Sequence, residues 1–364
     1  MSFLDDTQIV LTSYLKMTEE ILNDLLDKKP YCGFAHIIPN LDLGFPHDVI
    51  RIAGGFATGM GVLWQSEIPF VPIDICMNVC TVSLYELKDC IEFTESKIEK
   101  LISKIDESSY MANFHRGNHF ISYLQDVNTD KKYIMIHSSA AEFETGYNGL
   151  YPVESNFFYG KMKVFHSRNR YIRYLDGKAA MLFNKIAYDT YQYNENRHDF
   201  MIESFMDNSE DIINSKHYHH YGMPSEQIAL LGSHMITRNM ETPLLTRVGE
   251  NVYIIEYKNL LNKQLKIWEN QSYFLTPHGL GKKHCGTPDL QINDVEQSMK
   301  LDNCSYKIKY GESLRSHPNL QIRDIKMQEY FSFLAQNYEF GIINEFQQVA
   351  SYNKDGFIRW NEAR

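Results

Sequence analysis

Apolar residues recur along parts of the chain at helical spacing, and this period predicts four helices. Residues 7–28 form the clearest case, because their apolar side chains lie three or four positions apart and share one face. The same spacing predicts a helix over residues 86–107, a long helix from about residue 173 to residue 196, and another over residues 325–335. Such apolar faces are typical of core packing.

Between these helices the pattern is typical of strands. Residues 31–85 are rich in glycine and β-forming residues, and residues 120–124 and 133–137 predict two strands around a turn at 126–130. Short strands, such as residues 251–257, dominate after residue 220. No repeat, low-complexity linker or charge block divides the chain. We therefore expect one α+β domain over residues 1–364, with mixed β-sheets and surrounding helices.

Composition limits the function classes. The chain has 364 residues, 43% of them hydrophobic and 23% charged, and its net charge is −10. An acidic surface does not attract nucleic acid as a whole, so any RNA or nucleotide binding requires a local basic patch or a metal ion. No apolar run approaches the roughly 20 residues that cross a bilayer, and the acidic N-terminus lacks the features of a secretory signal. We expect a cytoplasmic protein.

The six cysteines form no CxxC pair and no regular disulfide framework. Cys76 and Cys80 have a spacing that is compatible with metal binding, but no second pair accompanies them. The interpretation from the sequence is that these are buried thiols in a reducing compartment.

A glycine-rich loop beside a histidine is the main candidate for reactive chemistry. Residues 276–283 place His278 before Gly279 and Gly281, and the loop ends in two lysines, the first of them Lys282. Glycines allow backbone N–H groups to approach an anion closely, and an imidazole there could attack or protonate phosphorus. An ordinary loop without chemistry is the alternative.

Two histidines are expected at one end of a β-hairpin. Asn118 and His119 lead directly into the strand at 120–124, and His137 ends its partner strand. A hairpin of this length brings both imidazoles within reach of one metal ion. Buried histidines that are satisfied by hydrogen bonds remain an alternative.

Further candidate ligands lie in two other segments. Asp74 and Cys76 follow an apolar run, and a carboxylate, a thiolate and neutral imidazoles together suit borderline ions such as Mn²⁺, Zn²⁺ or Co²⁺. Alternate residues of a strand share a face, so we expect one ligand, His217, from the cluster at 217–220. A capping aspartate and an exposed histidine-rich loop are the alternatives.

Taken in order, these segments resemble the RtcB family of RNA ligases over about residues 35–356. The motifs that carry the resemblance are residues 71–76 (family D-x-G-C-G), 117–121 (G-N-H-F-I-E), 135–138 (H-S-G-S), 180–197 (a helix closing with Asn-Arg), 213–218 (the His-Asn segment), 277–282 (H-G-A-G-R) and 354–356 (the terminal Lys-Gly). The order of the set is more specific than any one motif.

The resemblance implies a fold, a reaction and residue roles. It implies an N-terminal helix over residues 1–30 and a ligase-like core over 31–356. It also implies GTP- and Mn²⁺-dependent joining of an RNA 3′-phosphate or 2′,3′-cyclic phosphate to a 5′-hydroxyl, as in tRNA splicing and RNA repair. The roles implied are metal binding by Asp74, Cys76, His119, His137 and His217, guanylylation of His278, and nucleotide or phosphate binding by Asn118, Gly279, Gly281, Lys282 and Lys354.

Two other functions stay open from the sequence. A metal-dependent phosphoesterase or nucleotide-binding protein would retain the ions but not ligation, and a non-catalytic binding protein would retain neither. The basic, aromatic segment at 166–173 suits either a single-stranded RNA path or an ordinary surface loop.

Overall fold

The fold is α+β, as the sequence predicts. The computed structural model describes residues 3–115, 117–140, 154–206, 209–268, 272–294 and 296–360. Its helices are α1 (Asp6–Leu26), α2 (Val49–Ala53), α3 (Glu95–Asp106), α4 (Gly177–Phe205) and α5 (Met327–Ala335). No helix among the described residues is long and apolar enough to cross a membrane.

Most of the chain between the helices is in strands. In chain order they are β1 (Phe34–Gly44), β2 (Thr58–Gln65), β3 (Phe70–Pro72), β4 (Cys80–Leu87), β5 (Phe120–Asp126), β6 (Lys132–Ser139), β7 (Lys163–Ser167), β8 (Arg170–Asp176), β9 (Ile212–Ser225), β10 (Ile228–Leu231), β11 (Ser233–Ile236), β12 (Met240–Leu244), β13 (Val252–Leu260), β14 (Phe274–Pro277), β15 (Lys282–His284), β16 (Leu290–Asn293), β17 (Ser298–Leu301), β18 (Cys304–Lys307), β19 (Leu320–Ile322), β20 (Tyr338–Asn353) and β21 (Gly356–Arg359).

One large antiparallel sheet organises the molecule. Its strand order is β1-β2-β10-β9-β4-β6-β5-β20-β13-β12, and β21 pairs with β20. Smaller sheets are formed by β11-β14, β15-β19, β16-β17-β18 and β3-β8-β7. Strands β9, β4 and β6 are adjacent at the centre of the large sheet, so side chains from three distant parts of the sequence meet there.

The hairpin prediction is confirmed. Strands β5 and β6 pair in antiparallel register, and Phe120 lies opposite His137. The N-terminal helix and the helix near residue 330 are also confirmed, with ends within about two residues of those predicted.

The helix predicted over residues 86–107 is wrong for its first nine residues. Glu86 continues β4, where it pairs with Tyr133 of β6 and Asn214 of β9, and Leu87 ends the strand. The helix begins only after Thr94, whose extended backbone is its N-cap. Hydrogen bonding to two neighbouring strands outweighs the local helical period at Glu86 and Leu87, and residues 88–94 connect the strand to the helix without regular structure.

The long helix is also displaced. Residues 173–176 belong to β8, which pairs with both β3 and β7, and α4 begins at Gly177. It then continues nine residues beyond the predicted end at residue 196. Strand pairing again replaces helix where neighbouring strands are present.

The largest apolar core lies between the first strands and two helices. Leu15 and Leu22 of α1, Trp64 of β2 and Phe183 of α4 are all nearly inaccessible to solvent within it. Burying a side chain of this size contributes about 1.5–3 kcal/mol.

Candidate functional site

Three buried side chains from adjacent central strands form a possible metal-binding group, here called the donor group: Cys80, His137 and His220. Cys80 Sγ lies 3.2 Å from His137 Nε2, which lies 3.2 Å from His220 Nε2. All three donor atoms lie within 4.8 Å of one another. One thiol and two imidazoles are suitable ligands for a borderline divalent ion.

Hydrogen bonds to the main chain set the orientation of the neighbouring imidazoles. His137 Nδ1 donates to the carbonyl of Asn118 at 2.9 Å, and His119 Nδ1 donates to the carbonyl of Asn113 at 3.1 Å. A carbonyl can only accept, so in both neutral rings Nε2 carries a lone pair. The His119 Nε2 atom lies 3.8 Å from Cys80 Sγ. Fixing the tautomer by the second ring nitrogen is the usual arrangement of a metal-binding histidine.

The imidazoles of this region are held neutral. Burial, followed by the nearby His278, lowers the pKa of His137 to about 3. Burial also holds the pKa of His119 and His220 well below its ordinary value. Neutral imidazoles bind a metal ion without first losing a proton.

A bulge in β9 places His220 in the donor group. Cys80 pairs with Tyr221 and Thr81 pairs with His219, so His220 is an additional residue between two paired positions. Its side chain lies on the opposite face from that of His219, which bonds Thr81 Oγ1 at 2.9 Å and Glu195 of α4 at 2.7 Å.

His217 shares the face of His219 and lies outside the donor group. Its Nδ1 is 2.8 Å from Ser83 Oγ, and its Nε2 is 3.5 Å from Asp199 of α4. The expectation of one ligand from this histidine cluster agrees with the geometry, but the ring in the donor group is His220.

The structure does not bring Asp74 into the donor group. The carboxylate is fully buried and accepts from Arg173, whose Nη2 and Nε lie 2.6 and 2.8 Å from Oδ1 and whose main-chain N–H is 2.6 Å from Oδ2. Asp74 raises the pKa of Arg173 above its ordinary value despite burial. In this structure the guanidinium is the cation that Asp74 binds.

Cys76 is also placed elsewhere. It has a left-handed backbone (φ 41°) after a short turn, and its carbonyl accepts from Arg51 Nη2 at 2.6 Å. Burial, and then the charge of Asp74, raise the pKa of its thiol well above the ordinary value. A protonated thiol is a weak metal ligand. Cys80, four residues later at the start of β4, is the cysteine of the donor group.

His278 is the accessible imidazole beside the donor group. Its ring stacks on that of His220, with centroids 5.2 Å apart and planes 14° apart, and 16% of its side chain is exposed. Its Nδ1 lies 2.5 Å from Oδ2 of the fully buried Asp42, which also accepts from the His278 main-chain N–H at 3.1 Å. A carboxylate oriented in this way fixes the tautomer and leaves Nε2 as the nucleophilic nitrogen.

The loop glycines allow this contact. Gly281 has φ +72°, and a Cβ there would be 2.1 Å from the carbonyl oxygen of Asp42, while one at Gly279 would be 2.9 Å from the carbonyl oxygen of Leu245. Only glycine therefore allows the loop to pack against β1. The two glycines support the His278–Asp42 pair through backbone packing.

A group of basic and polar side chains, the cation cluster, lies beside this loop around His47. His47 Nδ1 accepts from Lys282 Nζ at 2.9 Å and from Arg315 Nε at 3.3 Å, and the Asn118 side chain also hydrogen-bonds this ring. Burial, and then Arg315 and Lys354, lower the pKa of Lys282 to about 8. The structure thus brings three predicted phosphate-binding residues together.

The cation cluster is adjacent in the chain both to His119 and to the loop of His278. Asn118 immediately precedes His119, and Lys282 follows the loop of His278. The charge of Arg315 also contributes to lowering the pKa of His119. The negative charge of Asp48 partly opposes the lowering of the Lys282 pKa.

A second group of possible ligands, the histidine–aspartate clasp, lies between β15 and the small sheet: His284, Asp302 and His317. His284 Nδ1 donates to a main-chain carbonyl at 2.9 Å, and its Nε2 is 2.5 Å from Asp302 Oδ2. His317 Nδ1 accepts from the Asn319 N–H at 3.2 Å, so its Nε2–H faces a main-chain carbonyl at 3.3 Å. Every ring nitrogen of this clasp lies within hydrogen-bonding distance of a protein atom.

Several residues of the site were not predicted from the sequence. Asp42, His47, His220 and Arg315 were not among the candidates, and Cys80 was noted only for its spacing. Asp42 could have been proposed from the sequence, because it is a charged residue between Leu41 and Leu43 in a strand-forming segment. The structure shows that it is fully buried. No protein-family model matches the chain, and a search of curated proteins finds no match.

Proposed function

We propose that the protein is a metal-dependent RNA ligase that uses GTP and a guanylylated His278 to join an RNA 3′-phosphate or 2′,3′-cyclic phosphate to a 5′-hydroxyl. One observation carries the proposal. An accessible imidazole, oriented by a buried carboxylate, stacks directly on a ring of the donor group. The cation cluster beside it is suited to nucleotide phosphates.

The donor group fits a resident divalent ion. Cys80, His137 and His220 would hold it, with His119 adjacent, and Mn²⁺, Zn²⁺ and Co²⁺ are all compatible with these ligands. When bound, such an ion would neutralise charge on the phosphates. Zn²⁺ is the ion that a thiolate and two imidazoles bind most often in proteins, so metal identity is part of the test.

Each step of the proposed reaction uses residues of the site. His278 Nε2 attacks the α-phosphorus of GTP and pyrophosphate leaves, which gives a phosphoramidate. A 2′,3′-cyclic phosphate is first opened by water to a 3′-phosphate and a 2′-hydroxyl. An oxygen of the RNA 3′-phosphate then attacks the phosphorus of the phosphoramidate and releases the imidazole. The 5′-hydroxyl finally attacks the activated 3′-phosphate and GMP leaves. Asp42 holds the Nδ1 proton throughout, and Lys282, Arg315 and Lys354 supply positive charge for the anionic groups.

Covalent labelling tests this proposal directly. The protein is incubated with Mn²⁺, Zn²⁺ or Co²⁺ and GTP labelled at the α-phosphate, and is then denatured and separated on a gel. We expect an acid-labile label on the wild type that His278→Ala abolishes. The matched control is His166→Ala, because His166 is an exposed histidine of β7. Absence of label on the wild type with all three ions contradicts the proposal.

One observation favours a metallo-phosphoesterase as a second candidate. Asp74 is neutralised by Arg173, so it does not extend the donor group to a second ion. A single ion can activate water for phosphate-ester hydrolysis without any covalent nucleotide. Hydrolysis of an RNA 2′,3′-cyclic phosphate by an unlabelled wild type would favour this alternative.

A further inference from the structure

A large groove lies away from His278, where β1 begins, β2 and β13 end, and β14 begins. Its volume is about 1240 Å³. Phe274 lines it at the start of β14, whereas His278 follows the end of the same strand, so the two are separated by about 13 Å at about 3.3 Å per residue. The groove is therefore distinct from the site of chemistry. We call it the basic groove, and its defining residues are Phe34, Arg238, Lys263, Lys266, Trp268 and Phe274.

Aromatic rings form part of its wall. Phe34 and Trp268 meet edge to face, with centroids 5.9 Å apart, and Phe34 is 44% exposed. Phe274 and Leu63 are buried and lie behind them. Phe34 is exposed and Trp268 is half-buried, and a planar group could stack on the face of either ring.

The charge of the lining contrasts with that of the whole chain. Arg238, Lys263 and Lys266 all line the groove, and none of the described residues that line it is an aspartate or glutamate. The chain as a whole has 46 acidic and 36 basic residues. Arg238 and Lys263 are exposed. His36 also lines the groove, and its Nδ1 lies 2.9 Å from Glu19 Oε2. The lining is thus complementary to a polyanion.

Amide side chains complete the lining. Gln65, Gln227, Asn259 and Gln264 all contribute to it. Each amide both donates and accepts hydrogen bonds, so it can pair with the edge of any base. Stacking surfaces, cations and amides together are typical of sites for single-stranded nucleic acid.

We propose that the basic groove binds a single-stranded segment of RNA, with bases stacked on Trp268 and Phe34 and phosphates near Arg238 and Lys263. The identification of RNA as the occupant rests on the proposed ligase function, because the reacting end would lie at His278 while the groove holds the strand at a distance. The groove would thus supply the RNA affinity that an acidic surface lacks.

Binding of a fluorescein-labelled single-stranded RNA 12-mer to the full-length protein, followed by fluorescence anisotropy, tests this proposal. Trp268→Ala is expected to weaken binding about tenfold through loss of stacking, and Trp268→Phe to retain most of the affinity. Arg238→Glu with Lys263→Glu should weaken binding further and reduce the slope of log affinity against log salt by about 0.7 for each lost phosphate contact.

Two comparisons make the result specific. Lys88→Glu with Lys100→Glu is the matched charge control, because both lysines are exposed and neither lines the groove, and it should bind RNA as the wild type does. A duplex RNA of the same sequence should bind more weakly, because its bases are not available for stacking. The proposal is overturned if the wild type binds duplex and single strand equally, or if the double charge reversal leaves the affinity unchanged.

Covalent labelling of His278 distinguishes failure of this proposal from failure of the proposed function. Groove variants should still accept the label from GTP, because the groove is remote from His278. Normal RNA binding by labelled groove variants overturns the groove alone. Loss of RNA binding by groove variants of a protein that never accepts the label supports the groove and contradicts the ligase.

Discussion

The donor group and the histidine–aspartate clasp contain similar residues but differ in the hydrogen-bond partners of their histidine ring nitrogens. In the donor group, His137 Nδ1 donates to the main-chain carbonyl of Asn118, so the lone pair on Nε2 faces Cys80 and His220. In the clasp, Asp302 and main-chain atoms satisfy each ring nitrogen. Proximity of histidines is therefore common to both groups, and the partners of their ring nitrogens distinguish them.

The largest expected difference between the two groups is in metal content. Cys80→Ser combined with His137→Ala should abolish binding, because one ligand cannot hold the ion. Asp302→Asn should retain the wild-type content, since the histidine nitrogens and the Asp302 carboxylate of the clasp already bond protein atoms. Metal analysis of the dialysed proteins measures both. Loss of metal from Asp302→Asn would show that the clasp is a binding site after all.

The next largest effect concerns Asp74, which forms an ion pair instead of joining the donor group. Arg173→Met leaves a buried carboxylate without its cation, and breaking such a pair costs about 3–5 kcal/mol in the free energy of unfolding. Urea denaturation of Arg173→Met measures this loss. The metal content of an Asp74→Asn variant should equal that of the wild type, because Asp74 lies outside the donor group. A metal-depleted Asp74→Asn protein would instead identify Asp74 as a ligand.

A smaller effect is expected at Asp42, which orients His278. Asp42→Asn removes the charge but keeps the shape, and we expect the rate of GMP labelling to fall about 100-fold, as for other groups that orient an active-site residue. The labelling time course measures the rate, and the thermal midpoint checks the fold. A labelling rate like that of the wild type would exclude an orienting role.

The smallest effect concerns the acid stability of the clasp. Burial raises the pKa of Asp302, but hydrogen bonds from Asn319, the Asp289 N–H and His284 outweigh it and lower the pKa below its ordinary value. A lowered folded-state pKa stabilises the fold above the unfolded value of about 3.9, and this contribution is lost as pH falls through the folded-state pKa.

Thermal midpoints measured against pH test this expectation. Asp302→Asn should melt about 1–2 °C below the wild type at pH 7, and the difference should shrink below about pH 4. A difference that persists at pH 3 would assign the effect to packing and not to charge.

Much of the site was accessible from the sequence, because some signals are local. His119 and His137 follow from a short hairpin whose register brings their rings to 5.6 Å between centroids. Lys282 follows His278 in one loop, and the structure places it with Asn118 and within electrostatic reach of Lys354. The role of these residues as nucleotide ligands stays a prediction.

Other members of the site depend on geometry that residue spacing does not encode. Because of a bulge in β9, the histidine of that strand in the donor group is His220 and not His217. Cys76 lies in a left-handed turn before β4, and the cysteine of the donor group is Cys80. Asp74 is distant from Arg173 by nearly 100 residues, and Asp42 is separated from His278 by 236. Only strand pairing across the sheets sets these partners.

The amino-acid sequence alone indicates the α+β class, the first and last helices, the β5–β6 hairpin and a glycine-rich loop at His278, since each depends on periodicity or turn chemistry within a few residues. Strand order, the bulge and the partner of each buried charge were decided by long-range packing. The physical reason is that a side chain's direction depends on backbone register, and a shift of one residue turns it to the opposite face of the sheet.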